Sequence, residues 1–225
     1  MFNKQSLSAQ VEDALRREIS QGKVLPGQRV SIANYQDTWK ISSTPFRDAI
    51  RALEIQGFVT VEPRKGVYVA PMNRETVREI FELRIAFECM ATELATPIVP
   101  QDKAEGIRDA YIKARDAQRE HGQAELAAID MFVHDLAREY CGNRRLQRLL
   151  VGQMDLFRWA QNTIIQEMPR SYEAALPEHI AIMTAVCARD PRRASEAMRE
   201  HLENSRRRLE AMLRHQETLK QRSNT

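Results

Sequence analysis

From residue 72 onward the chain repeats one pattern: apolar residues recur every three or four positions, with only four glycines and no convincing strand. Val77, Ile80, Phe81, Leu83, Phe87 and Leu94 begin it, Ile129, Val133 and Leu136 continue it, and Leu202, Leu209 and Leu213 close it. That spacing lines one face of a helix and does not fit a strand, whose period is two. Breaks fall at 97–100, near Gly122, at Gly142-Asn143, around Pro169 and at Pro191. About six helices in an all-α bundle follow. The polar tail from Glu217 is expected to fray.

The first 71 residues read differently. Val11, Leu15 and Ile19 mark an amphipathic helix that Gly22 ends, and Pro26-Gly27 makes a turn. A short segment from Val30 to Trp39 follows. Ser42 or Ser43 then caps another helix, with Pro45 in its first turn and Phe46, Ile50 and Leu53 on one face. Gly57 stops it. Phe58–Val61 and Val67–Val69 flank Pro63-Arg64-Lys65-Gly66 and read as a small hairpin. Three short helices and a two-stranded wing make a winged helix-turn-helix. The expected fold is mainly α: a winged DNA-binding domain over 1–71, and an all-helical effector-binding and dimerisation domain over 72–225.

Charge agrees with that division. Residues 1–71 carry 10 Lys and Arg against 7 Asp and Glu, and 72–225 carry 24 of each, so the whole excess of +3 sits in the first domain. Cys89, Cys141 and Cys187 form no CxxC pair, which suits a reducing compartment. No apolar run approaches the roughly 20 residues of a membrane span, and no signal-type apolar core opens the chain. A cytoplasmic protein without a membrane partner is expected.

The helix opened by Ser42, Ser43 and Thr44 offers backbone N–H groups and hydroxyls to phosphate oxygens. Arg47, one turn in, has the reach to fork onto a guanine edge in the major groove. Arg64 and Lys65 sit at the wing tip beside Gly66. A small amphipathic domain with a few solvated charges is the plainer reading of the same residues. Residues 11–70, however, resemble the N-terminal domain of the GntR family of bacterial transcription regulators. Leu25-Pro26-Gly27 matches its turn, Ser42-Ser43-Thr44-Pro45-Phe46-Arg47-Asp48-Ala49 its reading helix, and Leu53-Glu54 with Gly57-Phe58-Val59 the entry to its wing. The resemblance implies operator DNA as partner, bound through Thr44, Arg47, Lys65 and Gly66; Ser42 at the helix start and Arg64 at the wing tip join them by position. Ser43 replaces the arginine usual there, and Lys40 a turn glycine, so specificity is expected to rest more on Arg47, the wing and DNA shape. Trp39, at a usual leucine position, is expected to pack.

In the helical half, Asp130 and His134 are four residues apart and share a helical face with Val133 and Ala137. His179 lies beside Ile180 and Met183, and His201 beside Leu202. Together they could supply one carboxylate oxygen and three imidazole nitrogens to a divalent cation, with one or two positions left for an exogenous ligand. Each histidine alone fits a hydrogen-bonded core residue equally well, and Asp130 an arginine partner. This half resembles the FCD effector domain of the FadR-type branch, with a helix count similar to its VanR-like variant. The resemblance implies that Asp130, His134, His179 and His201 hold a metal, zinc foremost and nickel, manganese or iron as alternatives. Glu82-Leu83-Arg84, with Glu88, matches the domain's opening signature. Arg84 then pairs with an effector's carboxylate or bridges Glu88 at i+4. His121 and His215 match nothing and are expected to be exposed.

The expected function is a homodimeric transcription regulator, a repressor, whose operator affinity answers to a small organic acid at the metal. Two other readings use the same residues: a metal-dependent hydrolase-like enzyme, for which no HExxH-type general base is present, and a regulator whose metal is purely structural.

Overall fold

The computed structural model describes residues 6–117, 129–167 and 171–223. The chain divides into two compact units, one comprising Met1–Asn73 with Asp155–Asn162 and the other Arg74–Met154 with Thr163–Thr225.

In the first unit α1 (Leu7–Ser20) starts at Ser6, whose hydroxyl accepts from the Ala9 N–H at 3.2 Å, and buries Val11, Leu15 and Ile19. These pack on α3 (Ser43–Ile55), which buries Phe46, Ala49, Ile50 and Leu53. Fully burying one such side chain contributes about 1.5–3 kcal/mol. Between them α2 (Ile32–Trp39) buries none of its residues fully, yet Trp39 stacks on Phe46 at 5.7 Å and meets Tyr35 at 4.8 Å. Trp39 therefore packs, as expected. Lys40 ends α2 in the left-handed region at φ 55°, where the missing glycine would have been unstrained.

The wing has one strand more than the sequence suggested. β1 (Arg29–Val30), β2 (Val59–Glu62) and β3 (Gly66–Val69) form an antiparallel sheet in the order β1-β3-β2, with Val30 opposite Val67 and Glu62 opposite Gly66. Two residues are too few to show alternation, so β1 has no signal of its own. Residues 155–162 complete this unit's core: Trp159, 1% exposed, meets Phe58 at 5.8 Å, and Asp155 Oδ2 pairs with Arg16 Nε at 3.1 Å.

The second unit is helical among its described residues. Its elements are α4 (Arg74–Ala95), α5 (Gln101–Asp116), α6 (Phe132–Tyr140), α7 (Arg144–Glu167, except for residues 155–162, which belong to the first unit), α8 (Ser171–Cys187) and α9 (Pro191–Ser223). Breaks expected at Gly142-Asn143 and Pro191 are caps: Asn143 Oδ1 accepts from the N–H groups of Arg145 and Leu146, and Asp190 Oδ1 from Arg193. Pro191 then takes the first helical position, where its missing N–H costs nothing. The breaks expected near Gly122 and Pro169 lie outside the described residues. α9 packs along α4 and α8, α5 lies against α8, and α6 against α4. Phe81, Tyr111, Ile182, Met183, Met198 and Leu202 fill the centre. No helix among the described residues is long and apolar enough to cross a membrane.

Candidate metal centre and nucleic-acid interface

Three helices each turn one histidine into the bundle: His134 from α6, His179 from α8 and His201 from α9. All three are buried, His179 completely. Ring centroids stand 4.4 Å apart for His179 and His201, 5.3 Å for His134 and His201, and 5.8 Å for His134 and His179. One nitrogen from each ring lies within 4.8 Å of the others. His179 Nε2 and His201 Nε2 are 3.4 Å apart, close to the roughly 3.3 Å edge of a tetrahedron with 2.0–2.1 Å metal–nitrogen bonds.

Asp130 stands beside the trio rather than within it. Ile129 and Asp130 are helical, Met131 is a turn residue, and α6 starts after it. The four-residue spacing therefore does not run along one continuous helix. Asp130 Oδ1 lies 3.7 Å from His179 Nδ1, and no hydrogen bond from the described residues satisfies that nitrogen. Tyr111, buried against the His179 ring at 4.9 Å, accepts from the Val133 N–H and donates to the Asp130 carbonyl, so it fixes the start of α6.

Two carboxylates back the cluster. Glu88 on α4 contacts His134 Nδ1 with Oε2 and accepts from Arg84 Nε at 2.6 Å with Oε1. Arg84 thus bridges Glu88 in this structure, and both are buried in α4. Glu178 on α8 accepts from His201 Nδ1 at 2.8 Å. The sequence shows Glu178 beside His179 but gives no sign of this contact, because its partner is 23 residues away on the next helix.

Burial sets the protonation states. It pushes His179 well below the ordinary histidine range, with the neighbouring rings adding to the effect, and it pushes His201 down to about 4 against the pull of Glu178. Burial alone would raise both glutamates. Arg84 and His134 instead hold Glu88 far below the carboxylate range, and hydrogen bonds from His201 and Arg208 hold Glu178 at about 2. His179 and His201 are thus neutral at pH 7, and neutral imidazoles with ionised outer carboxylates are the form in which histidine ligates a cation. The trio suits zinc, nickel, iron or manganese through nitrogen. His215 is exposed; His121 lies outside the described residues.

On the first unit, Ser42 caps α3 through its backbone without a side-chain cap bond. Its hydroxyl and those of Ser43 and Thr44 are exposed, as are Arg47 and Asp48. Arg51, one turn beyond Arg47, is exposed on the same face of α3 and was not among the expected readers. At the wing tip Arg64 has φ 65° and Lys65 pairs with Glu62 at 3.0 Å, an exposed pair of little worth that a phosphate readily displaces. Gly66 has φ 131°, and a Cβ there would come within 3.0 Å of the Arg29 guanidinium. Glycine at that position lets Arg29 lie against the wing and adds a further cation to its surface.

Comparison with known proteins agrees with both halves. The profile of the bacterial regulatory proteins, gntR family, matches residues 7–69, and that of the FCD domain matches 79–204. The HTH-type transcriptional repressor GlaR of Escherichia coli K12 is 27% identical over 198 residues, covering 84% of this chain and 89% of that protein. An HTH-type transcriptional regulator, BphR of Paraburkholderia xenovorans, is 25% identical over 212 residues, 90% of this chain and 85% of its own. In fold, a putative GntR regulator from Rhodococcus sp. RHA1 superimposes with a TM-score of 0.72 at 18% identity over 91% of this chain and 98% of its own. McbR/YncC of E. coli gives 0.69 at 20% identity over 95% and 99%.

Proposed function

The chain belongs to the gntR family of bacterial regulatory proteins and carries an FCD domain, and from that premise we propose that it is a homodimeric repressor whose grip on its operator is loosened by a small organic acid bound at a metal in the helical unit. It is a DNA-binding regulator rather than an enzyme, as its relatives and structural neighbours are.

The observation that carries the metal reading is the convergence of three buried histidines from three helices, with two Nε2 atoms 3.4 Å apart. His134, His179 and His201 would hold the ion, with Asp130 as the adjacent oxygen donor. When bound, the ion supplies a Lewis-acidic position for a carboxylate oxygen. Arg84 sits one ion pair away from His134, through Glu88, where a second charged oxygen of the acid would find a fixed guanidinium. Ser42, Thr44, Arg47, Arg64, Lys65 and Gly66 form the DNA surface, phosphate contacts coming from the helix start and wing and base reading from Arg47. Two copies would present two such surfaces to successive major grooves. Leu83, Met90 and Leu94 form an apolar stripe on the outer face of α4, 39%, 54% and 38% exposed, which suits a second copy. Turning an operator from almost wholly bound to almost wholly free requires the acid to favour one dimer geometry by about 5.5 kcal/mol.

Elemental analysis and zinc titration of the wild type and of His179→Ala test the metal reading. One ion per chain in the wild type and none in the variant is the expected result. A metal-free wild type that also ignores added zinc would remove it.

A further inference from the structure

His201 is held from outside the cluster by an unusually complete set of contacts. Its Nδ1 lies 2.8 Å from Glu178 Oε2. A carboxylate only accepts, so Nδ1 carries the proton and donates, which leaves a lone pair on Nε2. That Nε2 is the atom 3.4 Å from His179 Nε2. Glu178 is itself fixed from α9: Asn204 Nδ2 donates to Oε1 at 2.9 Å, and Arg208 forks onto both oxygens at 2.8 and 3.0 Å. Arg208 Nη2 also donates to Ser205 Oγ at 2.9 Å, which orients the fork.

Adjacent residues of α8 therefore perform two tasks. His179 points into the cluster, and Glu178 reaches across to the ring that α9 contributes. A helix turns about 100° per residue, and here both neighbours reach α9 at His201, Glu178 at Nδ1 and His179 at Nε2. Glu88 plays a parallel part for His134, but from a third helix and with Arg84 Nε behind it.

We propose that Glu178 is a positioning residue of the histidine cluster: its carboxylate, locked by Arg208 and Asn204, sets the tautomer and ring orientation of His201 so that Nε2 is presented to a divalent cation. This rests on reading the cluster as a cation site. Partners of this kind are worth 10–100-fold in metal affinity where they have been removed. Their effect is geometric: the ring no longer has a single preferred rotation about χ2, and half of its tautomers point a proton at the ion.

The experiment uses full-length protein. Zinc affinity is measured by competition with a chromophoric chelator for the wild type, Glu178→Gln and Arg208→Met, and the visible d–d bands are recorded after Co²⁺ loading. Glu178→Gln keeps the volume but halves the acceptors that His201, Asn204 and Arg208 share. Its zinc affinity should fall roughly 10–100-fold, with weakened and shifted Co²⁺ bands, and Arg208→Met should fall in the same direction by less. In parallel, ¹⁵N shifts of the imidazoles in metal-free wild type should show His201 as the Nδ1–H tautomer, a reading that needs no variant to fold. A folded Glu178→Gln with wild-type affinity and spectrum overturns the positioning role and leaves the cation site standing. A metal-free His201 found as the Nε2–H tautomer overturns it as well. A wild type that binds neither ion removes the cation site instead.

Discussion

Acid should weaken the metal-stripped protein well before its carboxylates titrate. His201 is buried and neutral, held down to about 4 in the fold against 6.5 in the open chain. A group whose folded value is depressed leaves the unfolded state binding more protons, so stability falls as pH drops below the unfolded value and stops falling below the folded one. The window is therefore pH 6.5 to about 4. At pH 5 this single histidine removes about 2 kcal/mol relative to pH 7.5, since each unit between the two values is worth about 1.4 kcal/mol. His179 is shifted in the same direction and adds to the loss. Glu178 does not contribute here: its folded value of about 2 lies below the 4.5 of the open chain, so its stabilisation is complete above 4.5 and is lost only as pH falls towards 2. Urea unfolding at pH 7.5 and pH 5 in the presence of chelator, followed by far-ultraviolet circular dichroism, reads the difference. With a slope of about 1–3 kcal/mol/M, 2 kcal/mol moves the midpoint by roughly 0.7–2 M. His201→Gln should remove that part of the pH dependence. Midpoints that coincide at the two pH values would refute the picture of buried neutral rings.

Further outcomes follow from other parts of the molecule. Arg47→Ala should weaken operator binding and relax base preference at one position by about 1–3 kcal/mol, whereas Lys65→Ala should weaken binding to all sequences alike and reduce the salt slope, both read by fluorescence anisotropy over a salt series. Lys40→Gly relieves a left-handed backbone at φ 55° and should stabilise the reading unit by about 1 kcal/mol in thermal unfolding; a loss of stability would contradict the strain assigned there. Met90→Glu places a charge in the middle of the apolar stripe of α4 and should convert the dimer to monomer in light scattering, while an unchanged mass would exclude that face as the interface.

The helices and the three histidines were legible in the sequence because helical periodicity is a local property: Val11, Leu15 and Ile19 announce α1, and the apolar neighbours of His179 and His201 place both on inward faces. The rest depends on parts of the chain that meet only in space. β1 is two residues long and exists because β3 lies beside it. Trp159 reads as one more apolar residue of α7, yet it closes the core around Phe58. Glu178 stands next to His179 in the sequence, but its partner His201 is on another helix. Asp130 and His134 have helical spacing, but a turn residue, Met131, separates them, and spacing alone does not show it.

The most direct test of the account is operator affinity measured on zinc-loaded protein, with and without a panel of small hydroxy, dicarboxylic and sugar acids, and again after chelation. At least one acid should weaken operator binding tenfold or more in the loaded wild type, and the same acid should do nothing to the chelated protein or to His179→Ala. Release that proceeds equally well without the metal would contradict it.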